Sequence, residues 1–176
     1  MKFRLFRRAP ESDSIALLYG IIVAQARAPA FYQDYGVPDT VDGRFEMIVL
    51  HTVLVLRRIE TMSEPIRRQG EALFYLFCSD MDASLRELGV GDLGVPREMR
   101  RIGEAFFGRQ AAYAAALAAA DRESLAAALR RNIFRKSGPV AGAQRMAAYT
   151  GAAVRALDAL DSDALGRGEL VFPDPR

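Results

Sequence analysis

The chain of 176 residues has no tryptophan, one cysteine, one histidine and, among its 24 basic residues, only two lysines, Lys2 and Lys136. Each shortage removes a class of chemistry. Cys78 has no partner for an internal disulfide, so the chain does not ask for an oxidising compartment. A zinc site needs several Cys or His ligands and a di-iron bundle needs Glu-x-x-His on two helices, so His51 alone supports neither. Long apolar runs are also lacking: Ile15–Ala24 and Met47–Leu56 have ten residues each, against the roughly 20 of a bilayer-spanning helix. The basic start runs into Ala9, Pro10, Glu11, Ser12 and Asp13, where a secretory signal would need its apolar stretch. A cytoplasmic protein, soluble or peripheral on the membrane, is expected. Charge of one sign is missing too, with 22 acids leaving a net of +2, which excludes a general demand for nucleic acid and leaves no case for DNA.

What is present is helical spacing almost throughout, and half of all residues are apolar. The pattern predicts an all-α, single compact domain of about six main helices over residues 12–160, between a basic arm, 1–11, and an acidic tail, 161–176. The first helix runs from Asp13 to Arg27, capped by Ser12 or Asp13 and stopped by Pro29, and a short aromatic helix covers Ala30–Tyr35. From Thr40 or Asp42 to Met62 apolar residues occupy two opposite stripes, so this helix is central, with Arg44, His51 and Arg58 as a polar, potentially cationic seam at its edge. Ser63 and Pro65 open a helix that Gly89 ends, and its buried arc includes Cys78 and Leu88. Pro96–Ala120 follows, with Gly103 placed for close helix approach. Asp121 caps a helix to about Arg135, and Ser137-Gly138-Pro139 precedes a last helix ending near Leu160. The tail holds Asp161, Asp163, Glu169 and Asp174 against Arg167 and Arg176 and is expected to be mobile.

Charged groups supply the remaining candidates. A carboxylate beside a buried arc is costly unless paired, so Asp80 or Glu87 is expected to meet Arg44, Arg57 or Arg58. Asp82 and Arg86 form an ordinary i, i+4 surface pair. Lys2, Arg4, Arg7 and Arg8 surround Phe3, Leu5 and Phe6, a composition suited to an anionic membrane surface and equally to a frayed terminus. Residues 122–136 carry five bases against Glu123, a local +4. These are solvated helix faces, or a contact for RNA or lipid in which only Phe134 offers a stacking ring.

Three blocks then resemble a known family. Phe31-Tyr32, the run Gly36-Val37-Pro38-Asp39-Thr40-Val41-Asp42-Gly43-Arg44-Phe45-Glu46, Leu50-His51 and Leu56-Arg57-Arg58 form the first. Asp80-Met81-Asp82 and Ser84 to Leu93, with Val95-Pro96, form the second. Ala105-Phe106-Phe107-Gly108-Arg109, Ala112-Tyr113 and Arg131-Asn132-Ile133 complete it. Together, over about residues 28–135, they are similar to the ubiquinol-cytochrome c chaperones. The resemblance implies a non-enzymatic assembly factor of respiratory complex III, without cofactor, whose mitochondrial relatives bind newly made cytochrome b, work with a small partner protein and associate with the ribosome near its exit tunnel. The short, Arg-rich chain fits a bacterial member. Partner-binding candidates are Tyr32, Arg44, His51, Arg57, Arg58, Asp80, Asp82, Glu87, Asp92, Phe107, Arg109 and Tyr113. An apolar groove is expected to use aromatic residues, with Phe106 and Tyr113 in the core and Phe107 and Tyr32 exposed. The alternative is a general RNA- or ribosome-binding helical module built on the Arg-Arg pairs, marked by steep salt dependence. An enzyme in a helical bundle is a third class, for which few suitable groups are present.

Overall fold

The structure, a computed structural model, describes residues 11–135 and 139–176. Lys2, Arg4, Arg7 and Arg8 of the basic arm lie outside the described residues, as do Lys136, Ser137 and Gly138. The described residues form an all-α single domain: α1 (Glu11–Ala26), α2 (Pro29–Gln33), α3 (Val41–Glu60), α4 (Glu64–Glu87), α5 (Val95–Ala118), α6 (Arg122–Asn132), α7 (Val140–Asp158) and α8 (Ser162–Gly166).

Helix α3 is the axis. Thr40 caps it by accepting the Gly43 N–H at 3.1 Å, and from Glu46 to Leu56 every residue is buried. Helices α1, α4, α5 and α7 surround it, and α6 bridges α5 and α7. Local chemistry sets the ends. Gly89 takes φ 86° after α4, the Gly89 N–H donates to the Arg86 carbonyl and the Val90 N–H to that of Leu85, both at 3.0 Å, which is a Schellman stop. Asp121 receives the N–H groups of Glu123 and Ser124 at 2.9 and 3.2 Å. Between α2 and α3 the chain is wound tightly, since a Cβ on Gly43 would lie 1.9 Å from the Pro38 carbonyl oxygen.

The stretch Asp13–Gln33 has mean hydropathy 1.4 and is long and apolar enough to cross a membrane by length and composition. It is broken between α1 and α2, however, and its Leu18, Ile22, Ala26 and Phe31 are inside the core.

Several expectations need correction. Helix α1 begins at Glu11, so Ser12 and Asp13 are within it rather than caps. Helix α6 stops at Asn132, three residues early, because Ile133 and Phe134 turn into the core and Arg135 takes φ 48°. Leu88 lies outside the α4 arc and is exposed, Cys78 is only half-buried, and no atom approaches the position of a Cβ on Gly103 within 4 Å. The largest correction concerns 161–176. Acidic in composition, this segment is nevertheless a packed strap: Asp161 caps α8 through the Ala164 N–H at 2.7 Å, and Leu165, Leu170 and Phe172 are buried. Gln25 donates to the Pro173 carbonyl at 3.0 Å and the Tyr35 hydroxyl to that of Pro175 at 2.9 Å. Three apolar side chains spaced along the strap give it enough buried surface to hold, despite the charges between them.

Candidate functional site

The arginines of α3 do not meet the acids of α4. Arg44 pairs with Asp39 at 2.7 Å and stands over the Tyr32 ring at 5.9 Å, while the Tyr32 hydroxyl donates to the Ala26 carbonyl at 2.8 Å. Arg57 reaches Asp158 at 3.0 Å, and Arg58 donates to Thr61 Oγ1 at 3.1 Å and to the Leu160 carbonyl. Asp80 instead accepts the Tyr19 hydroxyl of α1 at 2.7 Å. Burial first, and that hydrogen bond second, hold the Tyr19 phenol well above its ordinary pKa. Asp82 takes Arg86 at 2.6 Å, as expected, and Arg86 also binds Asp92 in the α4–α5 turn. Glu87 is exposed. The expected ion pair is therefore replaced by a neutral donor, which satisfies Asp80 without bringing a second charge inward.

His51 corrects the idea of a cationic seam. It is fully buried, its Nδ1–H donates to the Met47 carbonyl at 2.7 Å, and its Nε2 accepts the Tyr149 hydroxyl at 2.8 Å. Gln25 in turn donates to Tyr149 at 2.9 Å. Phe31 and Phe172 contact the imidazole edge-on, at centroid distances of 5.6 and 5.0 Å. Burial lowers its pKa from 6.5 to about 4, only partly opposed by the bond to Met47, so the ring is a neutral node linking α1, α3, α7 and the strap. Below pH 6.5 the unfolded chain takes up a proton that the folded chain refuses until pH 4, so stability falls as pH falls through this window. Between pH 7 and pH 5 the unfolding free energy should drop by about 2 kcal/mol from this group. Urea titrations of the wild type and His51→Gln check it, since the variant should lack this slope; equal slopes would show that other groups cause it.

Between α3 and α5 lies a pair that sequence spacing did not show. Arg109 forks onto both oxygens of Glu46, with Nε at 2.8 Å from Oε2, and its Nη1 donates to the Ala105 carbonyl at 3.2 Å. Glu46 is 6 % exposed. Tyr113, one turn further along α5, is completely buried, and burial together with the Glu46 charge raises its phenol pKa. Arg109 and Tyr113 thus fasten α5 to the axis.

That fastening presents an aromatic cleft. Phe74 of α4 lies 5.0 Å from Phe106 and 5.6 Å from Phe107 of α5, and Phe106 stands 5.1 Å from the buried Phe77. The cleft has a volume of about 490 Å³, with Leu56, Ile59, Phe74, Phe106 and Phe107 as its apolar walls. Gly70 lets α4 close on α3 at its base, where a Cβ would meet Ile59 Cγ2 at 2.7 Å. The rim is mainly acidic: Glu60, Glu64 and Glu71, with Arg67 held by Glu64. Phe107 is 56 % exposed and Tyr75, next to Phe74 in the chain, 73 %. Of the twelve partner-binding candidates only Phe107 lines this cleft; Tyr32 is half-buried at α2, and Asp82 and Asp92 share Arg86 at the far end of the α4–α5 pair. Phe74 and the rim acids were missed, although the run Phe74-Tyr75-Leu76-Phe77 is too aromatic for one buried face. Among the described residues no three His, Cys, Asp or Glu side chains converge as a metal site.

Comparison with known proteins accounts for the architecture. No curated protein matched. A crystal structure of the Cbp3 homolog from Brucella abortus superposes with a TM-score of 0.87 at 38% identity, covering 94% of this chain and 91% of that one. The profile described as ubiquinol-cytochrome C chaperone matches residues 33–172, from the end of α2 through the strap. With an aromatic cleft on a rigid all-α frame and a match over most of its length, this chain belongs to the ubiquinol-cytochrome c chaperone family.

Proposed function

We propose that this protein binds newly made cytochrome b at the α3–α4–α5 cleft during assembly of ubiquinol-cytochrome c reductase, working at the cytoplasmic face of the membrane. The observation that carries the reading is the pair Phe74 and Phe107, whose rings meet at 5.6 Å while Phe107 keeps 56 % of its surface in water. An apolar patch rimmed by charge is what a shield for unassembled membrane segments requires, because it covers apolar side chains while its acids select against other acidic partners. Family membership supports the same assignment.

Deleting the gene in its own organism should lower cytochrome b and assembled complex III selectively, with another respiratory complex unchanged; normal complex III would overturn the reading. Replacing Phe107 by Glu should reduce co-purified cytochrome b at least tenfold and leave thermal unfolding within about 0.5 kcal/mol, as for other exposed positions. Phe107→Leu should retain most of the binding. Equal capture by F107E would move the site away from this cleft.

A further inference from the structure

A second cleft, larger than the first, opens between α6 and α7, with a volume of about 1060 Å³. Its floor is apolar, including Ala126, Ala127, Ala143 and Ala148, and Val140 at its edge is 55 % exposed. Four arginines stand around it, Arg122, Arg130 and Arg131 from α6 and Arg145 from α7, against the single acid Glu123. Arg145 is anchored, donating to the Asp34 carbonyl at 2.6 Å and lying over the Tyr35 ring. Among the described residues, Arg122 and Arg131 form no salt bridge. Phe134, the one ring in this stretch with a stacking face, is 1 % exposed, so the surface lacks the aromatic platform on which single-stranded RNA stacks. A trough between two helices also suits a rod better than a flat bilayer. Helix α6 is 11 residues long, about 16 Å at 1.5 Å per residue, room for roughly three turns of a third helix. Small floor residues allow its backbone close, and the bases call for carboxylates on its flanks.

We propose that the α6–α7 cleft receives an acidic amphipathic helix of a partner protein, its small or apolar face on the alanine floor and its Asp and Glu side chains on Arg122 and Arg131. This surface is separate from the aromatic cleft and shares no lining residue with it. The test places the photo-crosslinking residue benzoylphenylalanine at the exposed positions Ala127 or Ala141 of the full chain, expressed in its own cells. The expected adduct is a protein whose crosslinked peptide, identified by mass spectrometry, is an acidic amphipathic helix. Arg122→Glu with Arg131→Glu should reduce that adduct at least tenfold at equal abundance and melting temperature, while the double change to Lys should keep it. An adduct to RNA, to lipid or to a basic segment, an adduct indifferent to charge reversal, or no adduct would each overturn the proposal. The same crosslinker at Phe107, run in parallel, reports on cytochrome b independently, so failure at one cleft is distinguishable from failure at the other.

Discussion

Replacing Arg109 by alanine is expected to destabilise the protein by about 3 kcal/mol or more, the effect of leaving a buried charge without its partner. Glu46 is 6 % exposed and both of its oxygens face the guanidinium, so the truncation removes the charged partner of both in a buried setting. For a domain of this size the melting temperature should fall by roughly 6–12 °C. The companion experiment is Glu46→Met with Arg109→Met. Removing both charges and keeping the volume should restore most of the loss, because desolvation of the pair offsets much of its attraction. Urea unfolding followed by circular dichroism checks both, and a loss below 1 kcal/mol for Arg109→Ala would show that water reaches Glu46. The pair also matters for function, since Arg109 follows Phe106 and Phe107 within one turn and a loosened α5 would disperse the aromatic cleft.

Glycines give the second large effect, and its sign depends on the site. An alanine Cβ at Gly142 would lie 2.1 Å from the Tyr35 backbone oxygen and 3.3 Å from the Phe134 ring. A carbonyl cannot rotate away as a side chain can, so α7 must shift off the α2–α3 connection and the aromatic group around His51 must loosen. Gly142→Ala should destabilise by at least about 3 kcal/mol, in the range of severe overpacking. Gly103→Ala, also within a helix, meets nothing within 4 Å. It should stabilise by about 0.5–1 kcal/mol, since alanine restricts the unfolded chain without a clash. Thermal melts of the two variants decide the matter; equal shifts would mean that propensity, not contact, governs both.

The contrast shows what the sequence carries. Caps and stops are local chemistry, so Thr40, Pro65, Gly89 and Asp121 mark their helices correctly, and two apolar stripes suffice to make α3 central. Glycine does not announce its neighbour: Gly103 looked like a contact point, and Gly70 and Gly142 are the contacts. Charge pairing fails for the same reason. Asp80 needed a partner and has one, but it is Tyr19, 61 residues earlier, and Glu46 finds Arg109 across 63. In the strap, Leu165, Leu170 and Phe172 are too widely spaced to form a period, so composition alone spoke for solvent. The family blocks were legible because they are local strings, and several of their residues prove to hold the frame: Gly43 against Pro38, His51 in its aromatic box, Arg109 on Glu46. Only Phe107, among the partner candidates, lines the aromatic cleft, whose other walls come from three separate helices.

The strap also fixes the order in which the molecule is expected to close and open. Its bond from Gln25 to Pro173 spans 148 residues and that from Tyr35 to Pro175 spans 140, whereas α4 to α5 and α6 to α7 are neighbours in the chain. Loop closure over such a distance is the slow, entropically unfavourable step for an otherwise locally connected helical domain. The local hairpins therefore form first and the strap docks last. In the native state the reverse opening is the cheapest large fluctuation: lifting Phe172 uncovers His51 while α1 stays packed on α3 and α4. Amide exchange should accordingly report the strap as a unit of its own, less protected than α3.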